Sequence, residues 1–340
     1  MKQAFYLFIF FLITSCRTVP ITGIGVGFYN VENLFDTTDD PKIDDDYYLP
    51  NSRIKWDETK YQKKLEDLAF VIAQMVDNQP PQFLGLCEVE NKKVVQDLAN
   101  QPKLSAANYG VVHYDSRDER GIDVAFLYNT SVFSVKTSKT YSVNLPDNDR
   151  TRDILYVKGK LANGEILHFL INHWPSRSEG RTESESKRIE AAKTLQNIKN
   201  EILAKDSLAK IIVMGDFNDE PSNISLSKYV DTEIDIQKVE ANELYNPMAV
   251  LEDQDLGSYR FRDYWDMLDQ IMISNALLIE QEGKINYITN SADIKDEEWM
   301  RQHGNKYEGF PLRTFGGQNY LGGYSDHFPV YIKLIIQPAK

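Results

Sequence analysis

Apolar residues along the chain gather into short blocks, each of which ends or begins in a polar residue. IGVGFY (24–29), FLGLC (83–87), VAFLY (124–128), ILYVKGKL (154–161), ILHFLI (166–171), IIVMG (211–215), QIMIS (270–274) and FPVYIKLII (328–336) read as strands. Two longer stretches follow the helical period instead. In 57–76, Tyr61, Leu65, Leu68, Ala69, Ile72, Met75 and Val76 share one face. In 182–204, Ile189, Ala192, Leu195, Ile198 and Ile202 do the same, and Thr182 with Glu185 predicts a capping box at the start. Asn163-Gly164 between two strand blocks predicts a hairpin. Hairpins mixed with helices favour two sheets packed face to face, with helices on the outer faces.

The polar ends of these blocks carry the chemistry. IGVGFY runs into Asn30 and Glu32, FLGLC into Glu88, ILHFLI into Asn172-His173, and IIVMG into Asp216 and Asn218. Toward the C-terminus the order inverts: Asp269 precedes QIMIS, and Asp326-His327 precede FPVYIKLII. Both groups can share one rim only if their strands run oppositely. Asp or Asn after a strand is common turn chemistry, but turns do not call for Glu or His there. Such a rim would offer the oxygen ligands a hard cation prefers, with two imidazoles able to act on a phosphate.

Composition narrows the picture. A net charge of −13 over 340 residues argues against tight non-specific binding of nucleic acid. The stretch 36–46, DTTDDPKIDDD, reads as a solvated loop; calcium binding ranks second because the EF-hand spacing is absent. No linker or repeat divides the chain, so residues 24–336 are expected to form one domain.

The N-terminus reads separately. Lys2 followed by the apolar run Phe5–Ile13 is too short to span a bilayer and reads as a leader. It closes in Ile13-Thr14-Ser15-Cys16, which resembles a lipobox; a plain secretory signal is the alternative. On the lipoprotein reading, residues 1–16 are the signal peptide ending at a lipidated Cys16, and 17–23 form a short tether. Either reading puts the folded part outside the cytoplasm, in the first case anchored at the cell envelope by lipid alone. Cys87 is then left without a disulfide partner, a buried free thiol in a strand.

YNVEN, LCEVEN, NHWPSR, GDFND, LDQIMIS and GYSDHFPV, in that order, resemble the endonuclease/exonuclease/phosphatase superfamily, which includes deoxyribonuclease I and the abasic-site exonucleases. The resemblance covers about residues 24–336 and implies a four-layered α/β sandwich. It implies that Asn30, Glu32 and Glu88 hold a divalent metal, Mg²⁺ or alternatively Mn²⁺ or Ca²⁺, with Asp326 a further ligand. Asp216 matches the residue that orients or deprotonates the attacking water, and Asn218 its positioning partner. Asp269 and His327 match a carboxylate–imidazole pair that binds the scissile phosphate. His173 matches a histidine that pairs with the glutamate at Glu88 and transfers a proton to the leaving oxygen.

Around these residues Arg120, Arg177, Tyr259, Arg260 and Arg313 are candidate substrate contacts, as interleaved cations and aromatics suit phosphates and bases. The expected function is metal-dependent phosphodiester hydrolysis by a monomeric, envelope-anchored nuclease acting on DNA or RNA. The alternatives are a phosphatase or lipid-headgroup phosphodiesterase of the same superfamily and, third, a non-catalytic binding module. Lipid-acting members use an exposed apolar hairpin, and the mainly polar stretch 222–262 offers none.

Overall fold

The computed structural model describes residues 23–146, 149–304 and 306–337. The expected leader, Cys16 and the tether up to residue 22 lie outside the described residues. The apolar blocks pair into two large sheets. Strands β1 (Ile24–Leu34), β2 (Phe83–Val89), β3 (Tyr109–His113) and β4 (Asp123–Asn129) begin the first. The second contains β5 (Phe133–Tyr141), β6 (Ile154–Leu161), β7 (Ile166–His173), β8 (Lys210–Asp216) and β9 (Asp269–Ser274). The last long strand, β10 (Val330–Ile336), returns to the first sheet beside β1.

The first sheet runs in the order Ile285–Tyr287, β10, β1, β2, β4, β3; the second runs β5, β6, β7, β8, β9, Leu244–Tyr245, Thr232–Glu233. β1 and β2 are parallel, as are β7 and β8, whereas β10 and β9 run antiparallel to β1 and β8. This opposition is what the inverted polar ends require. Asp269 at the start of β9 lies opposite Asp216 at the end of β8, which lies opposite His173 at the end of β7.

Alternation along the strands builds three apolar layers. Val26, Phe28, Phe83 and Phe126 from the first sheet pack with Phe169, Ile171, Ile212 and Ile271 from the second. The sheets approach so closely that a Cβ on Gly85 would lie 2.5 Å from Met214 Sδ. Outside the first sheet, Leu65, Leu68 and Ile72 of helix α1 (Glu58–Ile72) and Val94 and Leu98 of α2 (Lys92–Ala99) cover Leu84 and Leu86. Outside the second, Ala192, Leu195 and Ile198 of α3 (Glu185–Leu203) cover Leu170, Ile211 and Val213. This is the expected four-layered α/β sandwich.

Local departures have physical causes. α1 starts where Asp57 accepts the Lys60 N–H and stops at Ile72, short of the expected residue 76. Met75 and Val76 stay buried in a turn, packed against Gly27 and Gly25. The capping box expected at Thr182 does not form. α3 begins at Glu185, after Ser184, whose hydroxyl donates to the Gly180 carbonyl and accepts from Arg188 rather than capping the helix. The Asn163-Gly164 hairpin forms as expected, with Gly164 at φ 96° and Asn163 Oδ1 accepting the Glu165 N–H.

Candidate active site

The rim is shaped by breaks in strand pairing. β1 and β2 stay in register to Asn30 and Cys87, then slip before Leu34; β2 and β4 slip between Cys87 and Val89. At these irregularities Glu32, Asn33 and Glu88 adopt left-handed backbone with φ of 50°, 53° and 62°, and Asn218 after β8 does so at 50°. Each costs on the order of 1–3 kcal/mol at a non-glycine residue, and bulges of this kind re-aim side chains beside active sites. Here they fix the carboxylates. Glu88 Oε2 accepts the Asn33 N–H at 3.0 Å, and Glu32 Oε2 accepts the Thr314 N–H at 2.6 Å.

Asn30 ties the two sheets together at this rim. Its Nδ2 donates to Asp216 Oδ2 at 3.0 Å and faces Glu88 Oε1 at 3.4 Å, while its Oδ1 accepts the Glu32 N–H. The Asn30 carbonyl accepts from the Ser325 hydroxyl, and Ser325 Oγ accepts the His327 N–H. Asp216, Asp269 and His327 each offer a ligand-type atom within 4.8 Å of the others. Asp269 Oδ2 lies 2.5 Å from His327 Nδ1, so the other ring nitrogen, Nε2, faces Asp216 Oδ2 at 4.0 Å.

These groups hold contrasting charges. Burial alone would lower the His327 pKa, but the Asp269 carboxylate, reinforced by its hydrogen bond and by Asp216, raises it to about 10. Burial and the Asp269 charge raise Asp216 to about 6, against the pull of His327 and the Asn218 N–H. His327 is therefore a cation at neutral pH, and Asp216 an ionised carboxylate with raised basicity. His173 is the reverse case: burial, then Arg152, Arg120 and His327, push its pKa well below the usual value, so its ring is neutral.

The expected pairing of His173 with Glu88 does not form. His173 Nε2 lies 3.7 Å from Asp216 Oδ2, and its buried Nδ1 has no hydrogen-bond partner among the described residues. Glu88 is taken by Asn33 and Asn30 instead.

Asn30, Glu32, Glu88 and Asp326 carry the oxygen donors that a hard divalent cation takes, whereas the titratable groups gathered within 4.8 Å at this rim, among the described residues, are Asp216–Asp269–His327 and Cys87–His173–Asp216. Glu32 and Glu88 each accept one backbone N–H, and each meets one further side-chain donor, Arg313 Nε for Glu32 and Asn30 Nδ2 for Glu88. Burial and the Asp326 charge raise Glu32 to about 7, the mark of crowded carboxylates. Arg313 bridges the group, with Nη2 2.6 Å from Asp326 and Nε 3.4 Å from Glu32.

The remaining candidates separate. Arg177 is not free to clamp a phosphate: its side chain is 17% exposed, and its guanidinium bonds the Asn218 carbonyl, Asp266, Asp219 and Asn223. It holds the loop that carries Asn218. Arg120 is exposed beside Asp118. The Tyr259 ring lies 4.8 Å from the His327 ring and opens a cavity of about 640 Å³. Arg260 lies over Phe310 in that cavity, which Arg262, Lys306 and Arg313 also line. Phe261 and Tyr264 stand 53% and 74% exposed on the hairpin formed by Tyr259–Phe261 and Tyr264–Asp266. These two rings stand among Arg260, Arg262 and Asp263 of the same hairpin.

Several supporting residues carry no strand-end signal. Lys64, 1% exposed, reaches from α1 to donate to Thr314 Oγ1 and the Tyr324 carbonyl, beneath Glu32. Its position among Tyr61, Leu65 and Leu68 is the signal available: a lysine on the apolar face. Ser258 Oγ accepts the Asp269 N–H. Buried Arg152 donates to the carbonyls of His173 and Trp174 and pairs with Asp118, bracing the end of β7.

Comparison with known proteins agrees with this architecture. No curated protein sequence matches the chain. Solved structures sharing the fold include a mannosyl-6-phosphatase of Bacteroides thetaiotaomicron, with a TM-score of 0.56, 16% identity, and 92% of this chain and 99% of that one covered. Truncated TDP2 of Caenorhabditis elegans gives 0.55 and 16%, covering 92% and 98%. The human Nocturnin catalytic domain with bound sulfate gives 0.53 and 17%, covering 92% and 94%. At such identities the likeness speaks for the fold. The sequence profile of the Endonuclease/Exonuclease/phosphatase family, however, matches residues 25–335 from the first strand to the last. A rim assembled from opposed strand ends, a sandwich of two mixed sheets and a profile spanning both lead to one assignment: the chain belongs to the endonuclease/exonuclease/phosphatase family of hydrolases.

Proposed function

We propose that the protein is a metal-dependent phosphodiester hydrolase that uses in-line attack of water, with a nucleic-acid strand as substrate. The observation that carries this reading is the sequence of contacts from Asp269 through His327 to Asp216. Asp269 holds His327 protonated, so Nε2–H is a charged donor for a phosphate oxygen. Asp216, fixed by Asn30 and the Asn218 N–H, accepts the proton of the attacking water. Asn218 is itself anchored, its Nδ2 donating to the Trp174 carbonyl at 3.1 Å. Glu32 and Glu88, with Asn30 and Asp326, would hold the divalent ion, which when bound supplies Lewis-acid stabilisation of the phosphate charge.

The cavity beside His327 favours a nucleic acid over a bare phosphate ester. Its ring faces and guanidinium groups suit base stacking and flanking phosphates, and give local positive charge to a chain that is negative overall. The test is incubation of purified protein and Mg²⁺ with plasmid, RNA, sphingomyelin and phosphoinositides, each with and without EDTA. Cleavage of nucleic acid that EDTA abolishes is expected. Turnover of lipid substrates alone would reassign the substrate, and no EDTA-sensitive hydrolysis of any would favour a non-catalytic module.

The proposal extends to location. The run Phe5–Ile13 into Ile13-Thr14-Ser15-Cys16 supports a lipid anchor at the cell envelope. Cys16→Ser is expected to move the protein from the membrane fraction to the soluble fraction; unchanged partitioning would remove the anchor from the account. Among the described residues no helix is long and apolar enough to cross a membrane.

A further inference from the structure

The segment between β1 and α1 carries Asp36, Asp39, Asp40, Asp44, Asp45 and Asp46, with Lys42 as the one basic residue between them. The loop is largely exposed, as its composition predicts, but Asp45 is only 2% exposed. Its Oδ2 accepts the Asp40 N–H at 2.9 Å, while its Oδ1 is buried with no hydrogen-bond partner among the described residues. One carboxylate oxygen from each of Asp39, Asp45 and Asp46 lies within 4.8 Å of the other two. Among the described residues no Lys, Arg or His forms an ion pair with any of the three. A carboxylate withdrawn from water, with one oxygen unbonded and two like charges beside it, is stabilised by a cation placed among them.

We propose that this loop binds a calcium ion through Asp39, Asp45 and Asp46, at a site separate from the rim. The donors are all hard oxygens on an irregular loop. Calcium accepts such sets of six to eight oxygens at about 2.3–2.6 Å, whereas Mg²⁺ demands a regular octahedron at about 2.0–2.1 Å. The spacing is not that of an EF-hand; the three carboxylates are gathered by the turn that the Asp40 and Asp45 side chains themselves organise.

The ion would brace one wall of the cleft. The Asp44 N–H donates to the Glu119 carbonyl at 3.2 Å, and Ile43 packs against Gly121 closely enough to leave no room for a Cβ there. This ties the loop to the turn that carries Arg120. At its other end Tyr48 stacks on Phe35 with ring centroids 4.2 Å apart, and Tyr48 lines a cavity with Glu32 and Arg313.

Thermal unfolding with and without millimolar Ca²⁺ tests the proposal in four proteins: wild type, Asp45→Asn, the doubly substituted Asp39→Asn/Asp46→Asn, and Glu88→Gln. The double variant changes only exposed side chains, so it reports even if Asp45→Asn fails to fold. Calcium is expected to raise the Tm of wild type and of Glu88→Gln by several degrees, and to leave the loop variants unshifted. The proposal is overturned by an absent shift in wild type. A shift of wild-type size in the double variant, or one abolished by Glu88→Gln, overturns it equally, because the ion would then sit elsewhere.

Discussion

His327→Ala is expected to lower kcat by about 10²–10⁴-fold in a protein that still folds, and Asp216→Ala by a similar factor. Both side chains lie at strand ends rather than in the apolar layers, so removing them leaves the cores of the two sheets intact. His327 is the charged donor of the rim, held by Asp269 on one side and facing Asp216 at 4.0 Å on the other. Asp216 is the point where Asn30, the Asn218 N–H and two imidazoles converge. Steady-state kinetics on the best substrate, beside circular dichroism of each variant, measures the effect. Wild-type turnover in a folded variant would remove that residue from the proposed chemistry.

Asp269→Asn is expected to move the alkaline limb of the pH–rate profile down from near pH 10 toward neutrality. In the native protein the Asp269 carboxylate overrides burial and keeps the His327 ring protonated up to about pH 10. Without that charge, burial is opposed only by Asp216 and Asp326, so the ring loses its proton at lower pH. The loss in rate should thus be largest above pH 7 and shrink toward pH 6, where Asp216 itself begins to take up a proton. Stability follows the same sign. A histidine whose folded pKa is raised contributes stability that is complete below its unfolded pKa of about 6.5, and that is lost as pH rises through its folded value. Wild type should therefore lose stability as pH approaches 10, and Asp269→Asn should not show that component. An unchanged alkaline limb in the variant would contradict the charge assigned to His327.

The rim was legible in the sequence because strand ends are. An apolar block that stops at Glu88 or His173, or starts after Asp269, places its polar residue at the end of a strand whatever the details of packing. Opposed strand directions then put those edges together. What escaped notice lacks that signature. β5 alternates apolar and polar residues and carries a bulge between Val135 and Thr137, so no apolar block marks it. Ser325 and Ser258 act through hydroxyls that bind backbone, which many exposed serines also do. Arg177 looked like a free cation in a polar loop, yet four acceptors far along the chain surround it. Asp45 looked solvated because its neighbours are, and only the folded turn buries it. Local pattern fixes which element a residue occupies, while partners more than 40 residues away decide what its side chain does.

The most direct test of the central claim is anomalous diffraction from crystals of the protein grown with Mn²⁺ and inorganic phosphate. The account predicts a manganese peak against the carboxylates of Glu32 and Glu88, with the phosphate within hydrogen-bond reach of His327 Nε2. A rim without manganese at those two carboxylates, or a phosphate bound away from His327, would contradict it.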